Sequence, residues 1–406
     1  MSDDPLFIAH LGARGDGVAT TSDGRAIYVP FAAPGDRISI EGDVIERGPH
    51  YKQPECPHFG ECGGCALQHV DAPSYENWLQ DRIRQALRQH GLSCEILKPH
   101  ISPPGARRRA AFQARWEKGQ LHLGYSKPRS HDVIDLTACP VLMPDLLKTL
   151  EPIRAVLRTH LDRRASARLE LTMTATGVDV MLDAPLDATE AAFRQELSEF
   201  AESLRLCRFA LRGADGLVDV IVQRRLPFIR LSDVPVVLPV GAFLQATQDG
   251  EEALVETVCQ AVGTDARRIL DLFSGIGTFS FPLAALGNVH AVEGWRDALD
   301  AMNQAGATQK AISLEHRDLF RRPMTVKELN AYDAVVFDPP RAGAKAQAPL
   351  LAQSSVQKVI AVSCNPNTFA RDAEELVKGG FTLEWVKPVG QFLWSKEVEL
   401  VALFQR

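Results

Sequence analysis

The chain has 406 residues, 45% hydrophobic and 24% charged, with a formal net charge of −6. This length predicts two or three domains, and the composition is that of an ordinary globular protein. No run of about 18 apolar residues predicts a membrane span. The acidic start MSDDPLFIAHLG lacks the basic flank and apolar stretch of a secretory signal. A cytoplasmic location is therefore expected, and the eight cysteines are expected to be core thiols, metal ligands or catalysts rather than disulfides.

Residues 1–52 alternate short apolar bursts with Gly-Asp, Asp-Gly and Pro-Gly, which predicts a small β-barrel. A Cys/Gly/Pro-rich loop follows, from Pro54 to Cys65, and then a helical pattern from Ser74 to His90. Residues 105–235 read mostly as strands, with a hairpin around Thr176-Gly177 and one helix near 188–203. Residues 53–235 are taken as a central unit. From about residue 236 to 406 the character changes: buried strands (RRILDLF, VHAVEG, DAVVFDPP, VQKVIAVS) alternate with helices, as in a parallel sheet covered on both faces. FTLEWVKPV and EVELVALF close the chain as an antiparallel hairpin at one end of that sheet.

Gly275 and Gly277 follow the first of these strands directly, and Glu293 ends the next, where a carboxylate can accept bonds from ribose hydroxyls. No Gly-Lys-Ser/Thr follows, so the loop is no P-loop, and the missing third glycine argues against a dinucleotide. Asp271, Glu293, Asp318 and Asp338 fall near strand ends, and an acid-lined mouth suits a cationic adenosine ligand, S-adenosylmethionine. Cys364 follows VQKVIAV, at the sheet edge where ligands of open α/β folds bind. Pro366 stops that strand. Arg341, in FDPPRAG, is near enough to support a carboxylate or bind phosphate.

Cys56, Cys62 and Cys65, with the distant Cys139, form a pattern suited to a soft metal centre. Tetrahedral zinc, with His58 or His69 as a further ligand, is the alternative. Between Pro103 and His131 lie seven Lys or Arg and one acid, with Phe112, Trp116 and Tyr125 interleaved. Cations for phosphate and rings for stacking suit single-stranded RNA.

DLFSGIGTFSFPLA, FDPPRAG, VSCNPNTFARD and EVELVALF occur in the order and spacing of the RNA uridine C5-methyltransferases, and the chain resembles that family throughout. Within the family it resembles the branch that carries a TRAM domain and an iron–sulfur centre and acts on large-subunit ribosomal RNA. The resemblance implies a Rossmann-like S-adenosylmethionine methyltransferase domain, an N-terminal OB-like β-barrel (TRAM) and a central mostly-β domain carrying a four-iron, four-sulfur (4Fe-4S) cluster. It implies Cys364 as nucleophile, Glu399 as base, and cofactor contacts from Gln245, Phe273, Thr278, Glu293, Asp318 and Asp338. Cys56, Cys62, Cys65 and Cys139 are the implied cluster ligands. The implied partner is RNA, ribosomal in preference to transfer RNA; no membrane is expected, and a monomer is. The sequence departs from the family pattern at Glu397, where His is usual two residues before the base, and at Thr247, where FxQxN has Asn. Alternative readings are an RNA-binding or assembly factor on a relic fold, and a radical S-adenosylmethionine enzyme. The cysteine spacing disfavours the latter.

Overall fold

The computed structural model describes residues 5–187, 189–213, 215–307 and 311–406. Residues 1–4, which open the acidic N-terminal stretch, and residue 188, at the start of the expected central helix, lie outside that description.

The N-terminal region forms two small antiparallel sheets rather than one continuous ladder. One joins Leu6–Phe7, Arg37–Ile38 and Val44–Glu46; the other joins His10–Leu11, Gly17–Thr20 and Ala26–Val29. In each sheet the middle strand, Arg37–Ile38 or Gly17–Thr20, pairs along both edges. Two backbone bonds, Ile8 N–H to the Asp36 carbonyl and Ala9 N–H to the Val18 carbonyl, hold the sheets around a core of Ile8, Ala19, Val29, Ala32 and Ile38.

The central region is a six-stranded sheet flanked by two helices. Its strands Ser166–Thr174 and Gly177–Asp183 form the expected hairpin, with Thr174 opposite Gly177. The expected helix runs over Ala191–Ser203. A second helix, Pro144–His160, was read as strand from sequence. Its Leu146, Leu150, Ile153 and Leu157 share one buried stripe at helical spacing, and Pro144 occupies the first turn, where a missing N–H costs nothing. Pro152 lies inside it and obscures the pattern.

The C-terminal sheet is built on β1 (Arg268–Leu272), β2 (Asn288–Glu293), β3 (Ile312–His316), β4 (Ala334–Phe337), β5 (Lys358–Ser363), β6 (Thr382–Gly390) and β7 (Glu399–Gln405). Their order is β3-β2-β1-β4-β5-β7-β6. β1 to β5 are mutually parallel, and β7 pairs antiparallel with both β5 and β6. The order reverses between β1 and β4, and in open α/β sheets ligands bind beyond the strand ends at that switch point. Two apolar clusters cover the two faces. One of them includes the helix Ala72–Gln89, capped by Asp71, which accepts the Ser74 N–H. Short strands Glu95–Ile96 and His100–Ile101 extend the sheet beyond β6. Residues 72–101, assigned to the central unit from sequence, are thus packed on the C-terminal sheet. Among the described residues no helix is long and apolar enough to cross a membrane.

Candidate active site

A cavity of about 480 Å³ opens beyond the carboxyl ends of β1, β2, β4 and β5. The loop after β1 forms one wall. Phe273 sits there at φ 61°, a left-handed conformation costly for an aromatic residue and concentrated at functional sites. Gly277, at φ 95°, has no room for a side chain: a Cβ would come within 2.8 Å of the Phe281 ring. Glu293, ending β2, is tied to this loop, accepting the Gly275 N–H at 2.9 Å and the Gly294 and Trp295 N–H groups at 2.7 and 2.8 Å. Asp318 accepts the Phe320 N–H, and the Phe320 ring lies 5.5 Å from that of Phe273.

The opposite wall comes from β4, β5 and β7. Cys364 lies between the end of β5 and the helix Pro366–Lys378, whose cap Asn365 accepts the Asn367 N–H. The Asn-Pro-Asn that breaks the strand is therefore a helix start. Glu399, the first residue of β7, is fully buried. The structure brings Cys364, Glu399, Gln245, Phe273, Thr278, Glu293, Asp318 and Asp338 to this one cavity. Asp271 is the exception among the acids read from sequence. It lies inside β1 without exposure, beneath the floor, and accepts the Ser280 hydroxyl at 2.5 Å.

Burial and mutual repulsion dominate the electrostatics. Burial pushes the Cys364 thiol up to about 11, the neighbouring Glu399 and Asp338 push in the same direction, and Arg341 opposes them. Burial raises Glu399 well above the ordinary carboxyl range, and Asp338 adds to it. Asp338 is raised by burial. Glu397 pairs with Arg341 and is absent from the cavity wall. Thr247 caps the helix Gln248–Val262 by accepting the Gly250 N–H, a task its hydroxyl performs as an Asn carbonyl does. Gln391 was not singled out from sequence. Buried behind the cavity, it donates to both Gln245 and Glu399. A lone Gln between Gly390 and Phe392 has no pattern that marks it.

A second cavity, about 20 Å³, is lined by Cys56, Cys62, Cys65 and Cys139. Burial pushes Cys65 up to about 12 and raises Cys62 and Cys139, each thiol repelling the others. Among the described residues, no three His, Cys, Asp or Glu side chains are arranged to hold a single metal ion. Tetrahedral zinc at about 2.3 Å would draw its sulfurs to about 3.8 Å of one another. The proposed histidine ligands are also elsewhere: His58 bonds Thr137, and His69 bonds the Ala32 carbonyl. Two buried polar atoms beside the thiols, the Tyr125 hydroxyl and Gln68 Nε2, have no partner.

The basic segment differs from its sequence reading. Phe112 is fully buried, and burial also claims Tyr125. Trp116 donates its indole N–H to the Leu161 carbonyl. Arg108 is buried against Glu251 at 2.7 Å. The strand Arg109–Glu117 alternates, so Ala110, Phe112 and Ala114 face the core while Arg115 faces out.

Comparison with known proteins follows the same lines. The tRNA (uracil-5-)-methyltransferase family matches residues 236–406. A protein of Zymomonas mobilis named as an RNA methyltransferase is 44% identical over 98% of this chain and 99% of its own length. The 23S rRNA (uracil(1939)-C(5))-methyltransferase RlmD of Yersinia enterocolitica is 30% identical over 99% of this chain and 95% of its own. The tRNA (uracil-54, C5)-methyltransferase of Pyrococcus abyssi, solved with S-adenosyl-L-homocysteine, shares the fold across the whole of both chains, with a TM-score of 0.75 at 21% identity.

Proposed function

Because the chain belongs to the RNA (uracil-C5)-methyltransferase family, we propose that it methylates C5 of a uridine in 23S ribosomal RNA, through a covalent bond between Cys364 and C6. The observation that carries this reading is the meeting of a thiol and a buried carboxyl in one acid-lined cavity. The full-length likeness to the 23S enzyme supports ribosomal RNA over transfer RNA.

Glu293, Asp318, Gln245, Asp338 and the loop from Phe273 to Thr278, which line the cavity, would hold the S-adenosylmethionine. Bound there, the cofactor supplies an electrophilic methyl on a cationic sulfur. The target base leaves its stack to reach the cavity. The Cys364 thiol releases its proton to solvent, its Sγ bonds to C6, and the C5=C6 electron pair moves toward O4, so C5 becomes nucleophilic. Once C5 is methylated, Glu399 takes its proton. The C5–H pair re-forms C5=C6, and Sγ leaves with the pair of the C6–S bond. Arg341 faces the sulfur and offsets its developing charge. Glu397, engaged with Arg341, holds that cation in place and is not the base.

Cys56, Cys62, Cys65 and Cys139, which line one small cavity, would hold the 4Fe-4S cluster, and its role would be structural, since no step above needs an electron. Equimolar zinc without iron and acid-labile sulfide in the purified protein would overturn that assignment.

The test of the main reading is incubation with S-adenosylmethionine and 5-fluorouridine-substituted 23S or transfer RNA. Fluorine cannot leave as a proton, so a denaturation-stable RNA–protein complex at Cys364 accumulates with the 23S fragment. Absence of a complex with RNA that the enzyme methylates refutes the covalent route. A complex with transfer RNA alone refutes the substrate assignment.

A further inference from the structure

Gln391 follows the last residue of β6 and is 1% exposed. Its Oε1 accepts the Ala246 backbone N–H at 2.8 Å. A backbone N–H can meet only the oxygen of a side-chain amide, so this bond fixes which way the amide faces. Its Nε2 then donates to Gln245 Oε1 at 2.6 Å and to Glu399 Oε2 at 3.0 Å. Both amide hydrogens are used, as a buried amide requires. Gln245 is oriented in turn: its oxygen is engaged, and its Nε2 faces Asp338 at 3.4 Å. The fit leaves no slack, because a Cβ on Gly250 would come within 2.7 Å of the Gln391 Cβ.

We infer that Gln391 is a positioning residue for the last chemical step, orienting both Glu399 and Gln245 and favouring the carboxylate of Glu399 through a direct N–H contact. The inference rests on the covalent reading proposed above. The groups facing Glu399 include Asp338 and Glu397, which favour its neutral form, Arg341 and Gln391, which favour the carboxylate, and the Cys364 thiol, whose own proton Glu399 holds on more tightly. Among the described residues, Gln391 is the one in direct hydrogen-bond contact with a Glu399 oxygen. Without that N–H the carboxyl stays protonated to higher pH and cannot accept the C5 proton. Formation of the Sγ–C6 bond and methylation of C5 do not need it. Its loss therefore stalls the reaction after methylation, with Sγ still bonded to C6 of the methylated base.

The experiment compares wild type, Gln391→Leu and Gln391→Glu on the RNA that wild type methylates, using unmodified and 5-fluorouridine forms of that RNA. General-base assistance contributes about 10²- to 10⁴-fold, so impairing it lowers kcat by about 10- to 100-fold. Gln391→Leu is expected to show that fall, a smaller change in KM for S-adenosylmethionine, and an acid limb of kcat moved to higher pH. It also accumulates a denaturation-stable complex with unmodified RNA, and reaches the 5-fluorouridine complex as fast as wild type. Gln391→Glu, whose neutral acid keeps one acceptor and one donor, recovers part of kcat. A Gln391→Leu enzyme that turns over normally overturns the inference. So does one that slows complex formation with both RNAs equally and gains nothing on Gln391→Glu, since that is the mark of a disturbed fold. If wild type itself gives no 5-fluorouridine complex, it is the covalent reading that fails, whatever Gln391 does.

Discussion

Cys364 begins with its proton held, and the consequence can be measured without RNA. Its thiol lies at about 11, against 9.0 for an unperturbed cysteine. At pH 8 the thiolate is then about one part in 10³, where an ordinary thiol has about one part in ten. The more basic thiolate is intrinsically more nucleophilic, by about 6- to 10-fold over a difference of two pH units. The net result is alkylation about ten times slower than that of a free thiol at pH 8. The assay is iodoacetamide labelling of Cys364 followed by peptide mass spectrometry, with the pH dependence as the readout, because slope and midpoint are independent of access. The labelling rate is expected to rise tenfold per pH unit through pH 10. Glu399→Gln removes a neighbouring negative charge and moves the midpoint down; Arg341→Gln removes the opposing cation and moves it up. A midpoint at or below 9, or a Glu399→Gln variant that labels more slowly, refutes the assignment of burial and carboxylate repulsion as the cause.

Asp271 is without exposure and is pushed by burial to about 7, and one of its oxygens has no partner. The folded chain keeps this proton up to about pH 7, while the unfolded chain releases it near 3.8. Between those values the folded state binds more protons, so stability falls as pH rises, by up to about 4 kcal/mol. Asp271→Asn is expected to raise the unfolding midpoint at pH 8 and leave it unchanged near pH 4, as read by thermal melts; equal effects at both pH values would contradict this. Glu251→Ala strands the Arg108 guanidinium between the central sheet and the helix Gln248–Val262. Loss of one partner from a buried pair costs about 3–5 kcal/mol. Arg108 also donates to the Gln245 carbonyl, so denaturant melts and methylation rate are expected to fall together.

The sheet and its cavity were legible because parallel strands buried on both faces read as unbroken apolar runs, and topology alone puts their carboxyl ends at one crevice. Phe273, Glu293, Asp338 and Cys364 are each at or just past such an end, so chain position was enough to place them. What stayed hidden depends on contacts distant in sequence. Gln391 meets Gln245 and Ala246 across some 145 residues. Glu95–Ile96 pairs with β6 from the other end of the chain. Arg108 counted as a surface cation because composition cannot see Glu251. Phe112 was a different kind of miss. Alternation of Ala110, Phe112 and Ala114 with Ala111, Gln113 and Arg115 already separates the two faces of that strand, and counting charges along the segment averaged them together.

The electrostatics of the cavity connect binding to chemistry. Asp338, Glu399 and Cys364 are each raised by burial, and the last two also by repulsion from their neighbours, so these side chains favour protonated forms that the proposed chemistry would have to release. Hydrogen bonds from Gln391 and the charge of Arg341 offset only part of this. A cation placed in the same low-dielectric space favours every one of these anions at once. The charge that makes a sulfonium a good methyl donor is therefore the charge the cavity lacks. Neutral S-adenosylhomocysteine, left after transfer, no longer supplies it. In the covalent route proposed above, the thiolate and carboxylates would then regain their protons.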